Sequence, residues 1–193
     1  MPYRPRTLVL PAAAIIIAAL CGYRMANPRG PAAPGELPPE LRPAPSFTLY
    51  DQDSTLVNLE AFLHRHRIAI VFYDGSRGPE ANPVLMELRE FHPALKRESV
   101  IVLGVSTALP QENRNNSSQP FPFPLLTDAA PLEANSVHRT WDRLLEPASP
   151  DMPPKTKPSV FVIDRQGLVA WDGDFPKPES DGGAGIVARL LGG

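Results

Sequence analysis

Three strongly apolar runs stand out after residue 45, and amphipathic or polar stretches separate them. Ile68-Ala69-Ile70-Val71-Phe72-Tyr73 is unbroken, β-branched and aromatic, which predicts a strand buried on both faces. The stretch Ser99 to Ser106, SVIVLGVS, predicts a second such strand, and Ser159-Val160-Phe161-Val162-Ile163 a third. Asp164-Arg165-Gln166-Gly167 has turn composition, so Leu168-Val169-Ala170-Trp171 should return as a hairpin strand. Between the first two strands, Val84, Leu85, Leu88 and Phe91 recur at helical spacing, with Glu87, Arg89 and Glu90 facing out. Asn82 fits the N-cap of that helix and Pro83 its first position, and Pro93 is expected to end or kink it.

Shorter signals fill the gaps. Phe47-Thr48-Leu49-Tyr50 is strand-like and Asp51 to Ser54 reads as a turn. Val57 to Leu63 predicts a short helix with Asn58 as its cap. Ala108 to Gln119 reads as a polar loop, and Phe121 to Leu126 enters a third region. Leu132 to Leu145 should contain a helix, and Gly185 to Leu191 a last one. Two strands joined by a helix should be parallel with a right-handed crossover, while the hairpin makes the remainder antiparallel. This order predicts an α/β protein: a thioredoxin fold, with a central mixed β-sheet flanked by helices and an N-terminal extension.

The extension has a different character. Thr7 to Gly22 carries no charge, with Arg4 and Arg6 before it and Arg24 and Arg29 after it. Residues 1–24 therefore read as a membrane anchor or a signal segment. The arginines are nearly balanced, which gives only a weak lean to an N-in orientation. An anchored or exported domain on the extracytoplasmic side is the expectation. Cys21 ends the apolar run. It suits an anchor position better than a lipoprotein site, because Leu20 stands where a small residue would precede a lipidated cysteine. Residues 25–45 form a proline-rich linker, and residues 46–193 the folded domain.

Composition narrows the chemistry. The chain of 193 residues has 25 prolines, far above average usage, which requires extended segments outside the core. A net charge of −2 gives no basic footprint, so nucleic acid is not an expected partner. One cysteine allows neither an internal disulfide nor a cysteine-built zinc site. No phosphate-binding glycine loop, serine–histidine motif or paired-carboxylate signature stands out, so neither a cofactor nor a metal is implied.

Five pieces in order carry a family resemblance: Pro45-Ser46-Phe47-Thr48-Leu49, Val71-Phe72-Tyr73, Val102-Leu103-Gly104-Val105-Ser106, Phe123-Pro124-Leu125-Leu126-Thr127-Asp128, and the run from Pro158 to Gly167. From about Pro45 to Trp171 the chain resembles the alkyl hydroperoxide reductase and thiol-specific antioxidant branch of the thioredoxin superfamily. The resemblance implies an oxidoreductase scaffold in which a thiolate at a helix N-terminus attacks a peroxide or disulfide. The helix end and nearby cations would lower that thiol's pKa.

The active-site segment departs from the family. A thioredoxin-like register, counted from Phe72-Tyr73, puts the two sulfurs at Gly78 and Ala81. A peroxiredoxin register puts a threonine at Gly78 and the cysteine at Ala81. Neither position holds a thiol. Ser76 is close, but an alkoxide is not available at neutral pH without a base, and a hydroxyl cannot cycle through a sulfenic acid. Glu80 adds negative charge where a thiolate would want positive. The resemblance also sets Pro158 where thioredoxins carry a cis-proline that docks substrate backbone. The expectation is a pseudo-enzyme that keeps a groove of Asp74, Gly75, Ser76, Arg77, Gly78, Pro79, Glu80, Ala81, Lys157 and Pro158, and binds a protein or peptide partner there. Two alternatives remain: an antioxidant enzyme that borrows a thiol, and a structural subunit of a membrane assembly.

The other candidates have plainer readings. His64-Arg65-His66 reads as a solvated turn rather than a metal pair, with His92 and His138 far away in sequence. Arg77 and Glu80 are expected to form a surface ion pair. Asn115-Asn116-Ser117-Ser118 holds two overlapping glycosylation sequons, meaningful only in a eukaryotic secretory route. Trp141 and Trp171 are expected in packing.

Overall fold

The computed structural model describes residues 42–145, 155–173 and 186–191. The proposed anchor and all but the end of the proposed linker lie outside these residues. Among the described residues, no helix is long and apolar enough to cross a membrane.

The three apolar runs become the centre of the sheet. Strand β1 is Arg42–Pro43, β2 Thr48–Tyr50, β3 Leu56–Asn58 and β4 Arg67–Phe72. Helix α1 (Pro83–Arg97) leads to β5 (Val100–Ser106), then α2 (Pro110–Asn115) and β6 (Leu125–Thr127). After α3 (Val137–Thr140) come the short strands β7 (Leu144–Leu145) and β8 (Lys155–Thr156), then β9 (Ser159–Ile163), β10 (Leu168–Gly173) and α4 (Ile186–Leu191). The main sheet has the order β1-β10-β9-β4-β5-β6-β2-β3, and β7 pairs with β8 apart from it. β4 is parallel to β5, and β5 to β6, while β9 runs antiparallel to both β4 and β10. This is the mixed, helix-flanked sheet expected from the order of elements.

Alternation along the central strands fills two cores. Ala69, Val71 and Tyr73 point to the side covered by α1 and α4, where they meet Leu85, Leu88, Leu95, Ile186 and Leu190. Ile68, Ile70 and Phe72 point the other way, onto Phe47, Trp141, Phe161 and Val169. Trp141 lies 4.9 Å from the Phe161 ring in edge contact, and Trp171 is half-buried against the first core. Both indoles are packing residues, as anticipated.

Several boundaries differ from the sequence reading. The sheet takes in Arg42–Pro43, inside the stretch read as linker; Arg42 reaches Asp172 at 3.1 Å and buried Ala44 comes next to them. Val57 lies in strand β3, so the predicted short helix shrinks to a 3-10 turn at Leu59–Ala61, which Asn58 does cap. Helix α1 runs through Pro93 to Arg97, because Leu88 and Leu95 are both buried on the sheet and hold its two halves to one surface. Phe91 is exposed, off the apolar face assigned to it. The loop from Ala108 to Gln119 contains α2, which opens on Pro110 and is fastened by Glu112 Oε2 accepting from Leu109 N at 2.7 Å. The Leu132 to Leu145 helix is a single turn, α3, capped by Ser136.

Candidate functional site

The segment between β4 and α1 is built by caps. Asp74 stands at the head of a 3-10 turn, Gly75–Arg77, and its Oδ1 accepts from Ser76 N at 3.1 Å and Ser76 Oγ at 2.7 Å. Gly75 is pressed against the C-terminal end of β5: a Cβ there would lie 2.6 Å from Ala108 Cβ. Pro79–Ala81 forms a second 3-10 turn. Asn82 then caps α1, its Oδ1 accepting from Val84 N and Leu85 N, both at 3.0 Å. The predicted Asn82–Pro83 helix start is therefore present atom for atom.

Gly78 joins the two turns at φ 75°, ψ 162°. That is a backbone region open essentially to glycine alone. A Cβ at Gly78 would also lie 3.1 Å from both Cβ and O of Asn116. Neither the threonine nor the first cysteine of the two registers fits this backbone as it stands. Ala81 is different: it is exposed and directly precedes the cap of α1.

A depression of about 230 Å³ lies at this point, lined by Asp74, Arg77, Gly78, Ala81, Asn82, Pro83 and Pro158. Five of the ten expected groove residues meet there, and Asn82 and Pro83 join them. Gly75 and Pro79 are buried supports rather than lining. Ser76 is turned onto Asp74, and Lys157 anchors the strand behind the depression by donating its N–H to Arg143 O at 2.8 Å. Pro158 is not cis: the described backbone contains no cis peptide bond. The proline sits beside the groove as expected but in the ordinary trans form, which is favoured for X–Pro by about 0.5–1 kcal/mol.

Glu80 is not paired with Arg77. Its Oε1 takes Arg89 at 3.0 Å, Ser118 Oγ at 2.7 Å and Ser118 N at 3.1 Å. The Ser118 hydroxyl and then Arg89 are the main causes that hold this carboxyl down at about 2. Arg89 also stacks 4.9 Å over Phe121. The expected Arg77–Glu80 pair is thus replaced by a lock between the Pro79–Ala81 turn, α1 and the sequon loop. The sequence separates its members by 9 and 38 positions, which is why residue-by-residue reading misses it.

Two buried polar clusters lie below. Tyr73 OH donates to Asn113 Oδ1 at 2.7 Å, and Asn113 also faces Ser106 and Thr127. Burial drives the Tyr73 phenol far above its ordinary value. On the other face, fully buried His138 bridges Asp128 and Thr156. His64 and His66 stand in the turn before β4, with His66 Nδ1 3.3 Å from Ser99 O. His92 packs against Phe123, and burial followed by the Lys96 charge lowers its pKa. No group of three His, Cys, Asp or Glu among the described residues is placed to hold a metal. Of the sequon residues, Asn115 is exposed at the end of α2, and Asn116 is the neighbour of Gly78.

Known proteins share this architecture. Residues 41–172 match the AhpC/TSA family. The chain is 28% identical over 129 residues to alkyl hydroperoxide reductase E of Mycobacterium tuberculosis, covering 66% of this chain and 80% of that one. It is 36% identical over 86 residues to peroxiredoxin Bcp of Escherichia coli, covering 44% and 54%. Peroxiredoxin Q of Xanthomonas campestris has a similar fold, with a TM-score of 0.59 at 21% identity over 76% of this chain and 90% of that one. Peroxidoxin BcpB of Mycobacterium tuberculosis gives 0.60 at 20% identity, covering 79% and 94%. The single cysteine of this chain, Cys21, lies before the matched region.

Proposed function

From the premise that this chain belongs to the AhpC/TSA family, within the thioredoxin superfamily, we propose that it is a pseudo-enzyme which binds an extended peptide or a partner protein through the former active-site groove. One observation carries the reading. The position that the family resemblance assigns to the reactive sulfur, Ala81, is an exposed methyl at the head of α1, and no cysteine follows Cys21. Without a thiolate there is no atom to attack the peroxide O–O bond and no sulfenic acid to resolve. What stays is a shaped recess with a guanidinium, a carboxylate and two proline rings in its walls. Tethering or export by the N-terminal segment belongs to the same proposal, and the apolar run from Thr7 to Gly22 motivates it.

The test is a peroxidase and disulfide-reductase assay on the full chain, with hydrogen peroxide or insulin as substrate and dithiothreitol as donor. The expected rate is that of buffer. A rate above buffer that survives Cys21→Ser would overturn the reading, because no thiol would then remain to account for it. Binding should show as partner crosslinks that Arg77→Ala and Pro158→Ala both weaken.

A further inference from the structure

A depression of about 320 Å³ opens at the rim of the second core, between the chain entering β2, the end of β6 and α3. Phe47 and Trp141 give it aromatic walls, their rings 6.3 Å apart in edge contact. Asp128 and Glu133 line it as well, and among the described residues no lysine, arginine or histidine does. The cations of α3 serve other contacts. Arg139 Nε donates to Leu132 O at 3.0 Å. His138 reaches Asp128 only at Oδ2, and its Nε2 faces the Thr156 hydroxyl.

The polar groups of this depression are not used up by the fold. The Asp128 side chain is only 6% exposed, yet its Oδ1 accepts no hydrogen bond among the described residues. Such an oxygen has given up most of its water without gaining a donor in exchange. Glu133, which is exposed, forms no ion pair among the described residues. Ser136 and Thr140 spend their hydroxyl protons on Pro131 O at 2.9 Å and Ser136 O at 2.8 Å, so these two side chains offer a ligand only lone pairs. Trp141 is 3% exposed, and its Nε1 is the one buried side-chain polar atom without a partner among the described residues.

We propose that this depression binds a small organic ammonium ion, with an N–H group on Asp128 Oδ1 and Glu133 balancing the charge at the rim. An acceptor with no donor calls for N–H groups, and two carboxylates with no lining cation call for positive charge. A bare metal ion is not what these residues fit: no group of three His, Cys, Asp or Glu among the described residues is placed to hold one. The aromatic walls suit the methylene groups of an organic cation instead. At about 30 Å³ for each water displaced, the space suits a ligand of roughly ten non-hydrogen atoms or fewer. The site shares no lining residue with the Pro158 groove and does not rest on that reading.

The experiment uses the full chain, isotope-labelled at its two tryptophans, and follows the two indole N–H resonances by NMR. Trp171→Phe assigns them, and Trp171, which packs in the other core, is the internal control. Titration with n-butylammonium should move the Trp141 resonance saturably and leave Trp171 in place. Neutral n-butanol and anionic butyrate, at matched ionic strength, should move neither. Asp128→Asn keeps the shape of the side chain and should weaken n-butylammonium about tenfold. Glu133→Gln, at an exposed position, should weaken it about threefold and make the rest of the binding less sensitive to salt. If Asp128→Asn does not fold, Glu133→Gln and its salt dependence decide. The proposal fails if n-butanol binds as well as n-butylammonium, if the charge variants that fold bind like wild type, or if n-butylammonium leaves the Trp141 resonance unmoved.

Discussion

His138 Nδ1 lies 2.7 Å from Asp128 Oδ2, and the Asp128 carboxylate also accepts from His138 N at 2.9 Å. With Nδ1 committed to Asp128, Nε2 faces the Thr156 hydroxyl at 3.1 Å. The three side chains have the order of a hydrolase triad. Their placement does not fit one: Thr156 is buried on strand β8 and lines none of the recesses described above. The cluster works as a clamp. Arg143 N donates to His138 O, and Lys157 N to Arg143 O, so the β7–β8 ribbon is tied to His138 through backbone and side chain together. Pro158 comes directly after Lys157 in the chain.

Removing the Thr156 hydroxyl should therefore cost what an unsatisfied buried acceptor costs. Thr156→Val is expected to lower stability by about 1–3 kcal/mol, and Thr156→Ser to recover most of it. Urea denaturation of the three proteins, monitored by tryptophan fluorescence, measures this. Equal midpoints for wild type and Val would show that the His138 contact carries no net weight.

Glu80 gives a pH dependence with a definite sign. Its carboxyl sits at about 2 in the folded chain against an ordinary 4.5. A lowered carboxyl stabilises the folded state fully above its unfolded value, and that contribution is lost as pH falls through the folded one. The turn at Pro79–Ala81 should therefore stay fastened to Ser118 and Arg89 down to about pH 4.5 and release progressively toward about pH 2. The Ser118 amide, bonded to Glu80 at 3.1 Å, reports this by hydrogen exchange. Glu80→Gln should show fast Ser118 exchange already at pH 6 and no step between pH 4.5 and 2. A step that persists in the variant would assign the transition to another group.

How much is legible in the sequence depends on the range of the interactions. β4, β5 and β9 are visible because burial on both faces leaves an unbroken apolar run, and the Asn82–Pro83 start of α1 because capping is local. The Asp164 turn is equally local: its Oδ1 accepts from Gln166 N and Leu168 N, and Gly167 takes φ 81°. Pro93 misleads because a local rule meets a helix whose two halves are both buried. The missed parts of the site all join distant positions. Glu80 with Ser118 and His138 with Thr156 have no spacing that betrays them. The α2 turn does carry a local signal, Pro110 with Glu112 two positions on, which the polar composition around it masks.

Gly75 offers a test of how tightly the turn is held to the sheet. A Cβ there would come within 2.6 Å of Ala108 Cβ and 2.9 Å of Ala108 N. Real Cβ atoms do not approach so closely, so Gly75→Ala must push the turn off β5 or distort it. The expected cost is about 1–3 kcal/mol, in the range of overpacking. Urea denaturation gives the number, and loss of protection at Arg77 N and Gly78 N, which bond back to Asp74 O and Gly75 O, gives the place. An unchanged midpoint would mean that the turn has room to move.

The two positions that would restore family chemistry should behave very differently. Ala81 is exposed, ends its turn, and already carries a Cβ. Ala81→Cys adds one sulfur to that Cβ and should change stability by no more than about 0.5 kcal/mol. Gly78 holds φ 75° with ψ 162°, and a Cβ there meets Asn116 at 3.1 Å twice. Gly78→Cys should cost about 1–3 kcal/mol from the backbone alone. In a Cys21→Ser background, Ellman's reagent should react readily with the thiol of the Ala81→Cys variant while the protein is folded. The thiol of Gly78→Cys should react appreciably only as the chain unfolds with added urea. If both variants match wild type in midpoint and react at the same rate, the glycine-only conformation at Gly78 is wrong. The loop would then be free to accept the family's side chains at both positions, leaving sequence rather than backbone as the barrier to thiol chemistry.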